Sequence, residues 1–162
     1  MSTTITAKQP VWLPKHPMAG GGILRYAVPV GRALFGAIFI LAAWNHLSEP
    51  AIDYAASQGV PLPWLLVPIS GLIALAGGLS VLLGYHARQG AGLLVLFLVP
   101  VTLALHQFWG VQDPASAQMQ QSMFMKNLSM LGGALLIAYF GAGPLSLDAR
   151  RASQSERGRE PA

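Results

Sequence analysis

The chain has 162 residues, 53% of them hydrophobic, and only 10 Lys and Arg against 6 Asp and Glu; a soluble domain carries about a quarter charged residues. That balance excludes a disordered chain and argues against a soluble enzyme. Three charges fall in residues 1–27 and seven in 148–162, leaving six for the 120 residues between, so the middle of the chain is built for lipid.

In chain order, residues 1–27 read as a polar N-terminal tail with Lys8, Lys15, Arg25 and three prolines, without the early apolar stretch of a secretory signal. Four uncharged runs follow, 33–48, 54–87, 89–112 and 127–147. A hydrocarbon core about 30 Å thick takes roughly 20 helical residues, which predicts helices near 29–47, 64–84, 90–110 and 122–141. The first must include Arg32, whose long stem can reach back to the interface. After it, Ser48-Glu49-Pro50 gives a cap and an early proline, and Gly59 a stop before Pro61-Leu62-Pro63, which predicts a short helix lying in the interface. Asp113-Pro114 repeats the cap-plus-proline start, so the fourth helix begins outside the membrane and runs inward through Lys126. Small residues at Ala33/Ala37, Ser70/Ala74/Gly78 and Gly132/Gly133 mark candidate close helix contacts. The expected fold is all-α: an integral membrane four-helix bundle over residues 28–147, with a short interfacial helix after the first span and a basic tail over 148–162.

Cytoplasmic segments keep an excess of Lys and Arg, and nine of the ten basic residues fall before or at the start of the first span, at Arg88 between the second and third, or after the fourth. The opposite connections carry no Lys or Arg and three acids, Glu49, Asp53 and Asp113. Both termini are therefore expected in the cytoplasm, in a multi-pass cytoplasmic (inner) membrane protein of a bacterium or archaeon. The basic edges suit anionic lipid headgroups, and no basic patch interleaved with aromatics points to nucleic acid.

The chain has no cysteine, which excludes thiolate, disulfide, iron–sulfur and cysteine-ligated zinc chemistry in this subunit. What remains is a set of polar groups near membrane depth, and they converge on one end. The first span closes with Trp44-Asn45-His46, the third with His106-Gln107-Phe108-Trp109, and the fourth enters with Lys126-Asn127. Ionisable groups inside a membrane are costly, so their clustering marks a candidate site. His46, His106 and Lys126 are the candidate catalytic groups, with Trp44, Asn45, Trp109, Asp113 and Asn127 around them. Asp113 and Glu49 are the acids placed to compensate Lys126. At the opposite end Arg32 and Asp148 are expected to form an ion pair, because a charge in a partly dehydrated zone is costly unless paired.

Several pieces together resemble the DoxX family: Arg32-Ala-Leu-Phe-Gly-Ala-Ile-Phe, Pro61-Leu-Pro63, His106-Gln-Phe-Trp109 with Asp113-Pro114, Phe124-Met-Lys-Asn-Leu-Ser-Met-Leu-Gly-Gly133 and Gly141-Ala-Gly-Pro-Leu-Ser-Leu-Asp148. The resemblance implies a four-helix protein related to the membrane subunit of thiosulfate:quinone oxidoreductase, with an oxidoreductase partner subunit. Where that family often closes its first helix with Lys, this chain has Asn45-His46, a titratable imidazole.

Two imidazoles, a lysine, an amide and flanking tryptophans are the types a quinone needs beside an apolar slot. The leading expectation is a quinone-binding membrane subunit that passes electrons from a small reductant such as a sulfur anion. Alternatives are a non-catalytic scaffold or assembly factor of an oxidoreductase complex, and a copper-handling protein using Met119, Met123, Met125 and Met130 with the imidazoles. Membrane lipid and a second copy of the chain complete the candidate partners. No group of ligands specifies a metal site.

Overall fold

A computed structural model of the chain describes residues 22–157; the expected tails lie outside the described residues up to residue 21 and from residue 158. A 3-10 turn at Ile23–Tyr26 leads into α1 (Ala27–Asn45), followed by α2 (Glu49–Ser57), α3 (Pro63–Leu83), α4 (Ala87–Leu105), α5 (Pro114–Phe140) and α6 (Leu147–Arg157). No strand occurs among the described residues. Four helices, α1, α3, α4 and α5, have 19, 21, 19 and 27 residues and are long and apolar enough to cross a membrane. At 1.5 Å per residue the first three match a core about 30 Å thick, and α5 overshoots it.

The surface confirms the solvent. Leu34 and Leu41 on α1, Leu72 on α3, Leu96 on α4 and Leu136 on α5 all point outward and are more than half exposed, an apolar coat that only lipid satisfies. Inside, Phe39, Ala74, Val81, Leu94, Phe97 and Leu98 form the core, with Phe39 and Phe97 edge to face at 6.2 Å.

Neighbouring spans are antiparallel and packed in chain order, α1 on α3, α3 on α4 and α4 on α5, with α2 against α3. Small residues set the closest approaches, because without water to drive association the helices must gain by close packing. A Cβ on Gly36 would lie 2.7 Å from the Gly78 carbonyl oxygen, and one on Gly77 would lie 2.8 Å from that of Gly90. Of the expected contact positions, Gly78 and Ala74 are buried, Gly133 meets the Phe35 ring, and Gly132 has open space. Replacing Gly36 by Val should therefore lower the melting temperature of the detergent-solubilised protein, by a strain of about 1–3 kcal/mol. Gly92→Val, at an exposed position where nothing lies within 4 Å, should change it far less. Equal melting of the two variants would refute this account of the α1–α3 seam.

The boundaries follow the expected signals with two differences. Ser48 is the residue before α2 and Gly59 ends its turn at φ +79°. The third span stops at Leu105 rather than near 110, since His106 leaves helical geometry at φ −124°. The described part of the expected basic tail is helical, as α6. Ser146 Oγ accepts from the Ala149 N–H at 3.1 Å, and the Arg151 guanidinium lies 4.3 Å from the centre of the Tyr85 ring.

At the end that carries Arg25, Arg32 and Arg88, the predicted Arg32–Asp148 ion pair is replaced by two backbone caps. Arg32 donates from Nη1 to the Ala142 carbonyl at 2.6 Å and from Nη2 to the Leu145 carbonyl at 2.9 Å. Asp148 instead accepts from the His86 N–H at 2.8 Å and the Ala87 N–H at 3.1 Å. The reason is local: the chain leaving α5 has carbonyls with no helical partner, the start of α4 has N–H groups with none, and each charge meets groups of opposite polarity.

Candidate functional site

At the other end, a cavity of about 400 Å³ lies between α1, α2, α4 and α5, with Val67 of α3 also on its wall. α1 supplies Ile38, Phe39, Ala42, Asn45 and His46, positions that recur every three or four residues and so share one helical face. α4 gives Phe97, Val101 and Leu105, with His106 just beyond it, α5 gives Lys126, Asn127 and Met130, and Tyr54 of α2 covers the top. Below, Phe35 lies over Gly133 where α1 and α5 meet. The exposed lining residues, Ile38, Asn45, Pro50, Tyr54 and Lys126, mark the mouth.

His46, His106, Lys126, Asn127 and Asn45 thus line one cavity. The other three expected residues lie elsewhere. Trp44 is 83% exposed and Trp109 62%, and neither lines the cavity. Trp44 shares the outward face of α1 with Leu34 and Leu41, and Trp109 stacks edge to face with Phe108 and Phe124 at 5.3 and 6.1 Å. Both suit an interfacial aromatic belt. Asp113 caps α5, accepting from the Ser116 N–H at 2.8 Å. Hydrogen bonding from Ser116, by side chain and backbone, holds its carboxyl below the ordinary range. Neither Asp113 nor Glu49 reaches Lys126, whose ammonium donates to Met123 Sδ at 3.3 Å.

The polar wall is held by residues that the sequence did not single out for this role. His46 Nδ1 lies 2.9 Å from Ser70 Oγ, and its ring packs on Phe97 with centres 5.3 Å apart. His106 Nδ1 lies 2.9 Å from Gln120 Oε1. Gln120 Nε2 in turn donates to the Tyr54 hydroxyl at 2.7 Å, and that hydroxyl donates to the Leu105 carbonyl at 3.0 Å. One chain of hydrogen bonds therefore ties α2, α4 and α5 around His106. Asn127 is different: it is 5% exposed, and among the described residues its side-chain amide has no hydrogen-bond partner. The amide is open to the cavity rather than sealed in the core; the one enclosed side-chain nitrogen without a partner among the described residues is Arg32 Nε.

Beside this cavity, an apolar groove of about 300 Å³ runs between α2, α3 and α4. His46, Val67, Phe97, Val101 and Leu105 line both. Of the methionines proposed for copper only Met130 reaches the cavity, while Met119 and Met125 are more than half exposed. No cluster of three His, Cys, Asp or Glu residues fit for a metal exists among the described residues.

A sequence model of the SURF4 family matches residues 63–153. Two curated relatives from Escherichia coli strain K12 align over most of their length. Inner membrane protein YqjF is 30% identical over 121 residues, 75% of this chain and 88% of the relative. Inner membrane protein YphA is 29% identical over 115 residues, 70% of this chain and 81% of the relative. No solved structure matches. The SURF4 match replaces the DoxX resemblance. Its Ser-Leu-Asp piece closes a corner of the bundle here, Ser146 capping α6 and Asp148 capping α4. With its match covering more than half of the sequence, this chain is an integral membrane protein of the SURF4 family.

Proposed function

We propose that the chain is a multi-pass protein of the bacterial inner membrane whose cavity binds a small amphipathic molecule, with a quinone-type ring as the best-fitting head group. The observation that carries this reading is Asn127, whose residue is 5% exposed and whose amide has no protein partner among the described residues and faces a cavity lined by apolar side chains together with His46, His106, Lys126, Asn45 and Tyr54. An amide left unpaired by the protein and facing the cavity is free to bond a ligand oxygen, a contact of about 0.5–1.5 kcal/mol. Phe39, Phe97, Val101 and Leu105 offer a flat apolar slot, while Lys126, His46, His106 and Asn127 supply donors and acceptors. The groove across Phe97 is placed to take a hydrocarbon tail.

The relatives named as inner membrane proteins support the location. The end bearing Arg25, Arg32, Arg88, Arg150 and Arg151 is assigned to the cytoplasm by its basic residues, which puts the cavity at the outer boundary. Electron transfer would need a partner subunit or a soluble reductant, because the chain has no cysteine; the proposal is for binding. The scattered methionines give copper no comparable support.

The test is solvent extraction of the protein purified in mild detergent, followed by titration of the stripped protein with a short-chain quinone. Co-purifying isoprenoid quinone and saturable rebinding are expected, with rebinding weakened in Lys126→Met. Absence of both would leave the cavity without its proposed occupant.

A further inference from the structure

This inference rests on the binding reading above and concerns which form of the ligand the cavity takes. The hydrogen bonds around the two imidazoles decide where their protons sit. The Ser70 hydroxyl donates its single proton to the Val67 carbonyl at 2.7 Å, so its 2.9 Å contact with His46 Nδ1 requires the proton to be on that nitrogen. The same logic runs through the second network. The Leu105 carbonyl is one of the unpaired acceptors at the end of α4, and the Tyr54 hydroxyl donates to it at 3.0 Å. That hydroxyl therefore accepts from Gln120 Nε2 at 2.7 Å, which turns Gln120 Oε1 toward His106 Nδ1 at 2.9 Å. An amide oxygen only accepts, so His106 Nδ1 also carries the proton.

A neutral imidazole protonated on Nδ1 presents Nε2 as an acceptor. Neither Nε2 has a hydrogen-bond partner among the described residues. No carboxylate lines the cavity, and its one lining lysine is Lys126. We propose that the cavity selects a head group that donates hydrogen bonds, a phenol or hydroquinone, over the corresponding quinone. The two hydroxyls of a hydroquinone can donate to unprotonated nitrogens, whereas the carbonyl oxygens of a quinone would meet lone pairs there. The Asn127 amide pairs with the oxygen in either form and so contributes affinity without discrimination. Gln120 and Ser70 are positioning residues: they set the preference by fixing the tautomers.

Binding of duroquinol and duroquinone to the full chain in detergent, measured without oxygen, separates the possibilities. The reduced form should bind about ten-fold or more tightly, the value of one well-placed hydrogen bond. Nitrogen NMR of histidine-labelled protein without ligand should show His46 and His106 protonated at Nδ1 and bare at Nε2. In Gln120→Leu the His106 signal alone should shift toward the other tautomer, and the preference for duroquinol should fall. Equal binding of the two forms, tighter quinone binding, or Nε2–H signals in the native protein would overturn the inference while leaving the cavity a binding site. Binding of neither form would remove the inference together with the reading it rests on.

Discussion

Arg32→Met is expected to cost about 3 kcal/mol of stability, the low end for two hydrogen bonds from a charged donor. That corresponds to a fall of roughly 6–12 °C in the melting temperature of a chain this size. The side chain is 5% exposed and joins the start of α1 to carbonyls more than a hundred residues later, at Ala142 and Leu145. Its guanidinium also packs where a Cβ on Gly84 would sit, at the end of α3. One planar group thus closes the chain leaving α5 onto α1 and α3, where lipid or water would otherwise have to satisfy the freed carbonyls. Lysine in its place keeps the charge but not the fork that reaches two carbonyls at once, so Arg32→Lys should recover less than half of the loss. Differential scanning fluorimetry in detergent measures both variants. An unchanged melting temperature in Arg32→Met would mean that the corner is held by the backbone alone.

The bundle was legible because the membrane imposes it. Charges are excluded from runs long enough to span, and the second span, expected at 64–84, forms as Pro63–Leu83. Ser48, Pro50 and Gly59 announced α2 for local reasons that need no knowledge of packing. The end of α4 was less legible: His106-Gln107-Phe108-Trp109 carries no charge or proline, and what turns the chain there is His106 bonding to Gln120, a partner beyond the next turn. Arg32 misled for a related reason. Its partners are carbonyls, which leave no mark in a sequence, so an acid was sought instead. At the cavity, shared depth could be read from the ends of the spans, and it placed His46, His106, Lys126 and Asn127 at one end. Which side of a helix each residue takes needs the register, and one step along α1 separates outward Trp44 from Asn45. Tyr54, Ser70 and Gln120 had no sequence signal as supports, because each acts on a residue 14 or more positions away.

Asn127→Leu is expected to abolish ligand binding and at the same time raise stability, a pair of effects that a structural asparagine would not give. An asparagine retained for folding would be hydrogen-bonded, and its loss would cost stability. Here the amide faces the cavity without a protein partner among the described residues, so the ligand-free fold draws no hydrogen bond from it that leucine would lose. Leucine is close in size, replaces an amide that the protein leaves unpaired by an apolar side chain, and should raise the melting temperature by a few degrees, roughly 2–4 °C for about 1 kcal/mol in a chain of this length. The bound state loses the pairing, and affinity should fall about 10- to 100-fold or beyond detection. Lys126→Met serves as the contrast, since Lys126 is exposed and bonded only to Met123; it should leave the melting temperature near that of the native protein and weaken binding less. Melting curves with and without a short-chain quinol read both quantities on one sample. A variant at Asn127 that melts lower and still binds would show that the amide serves the fold, and that the cavity is a packing gap between α1 and α5.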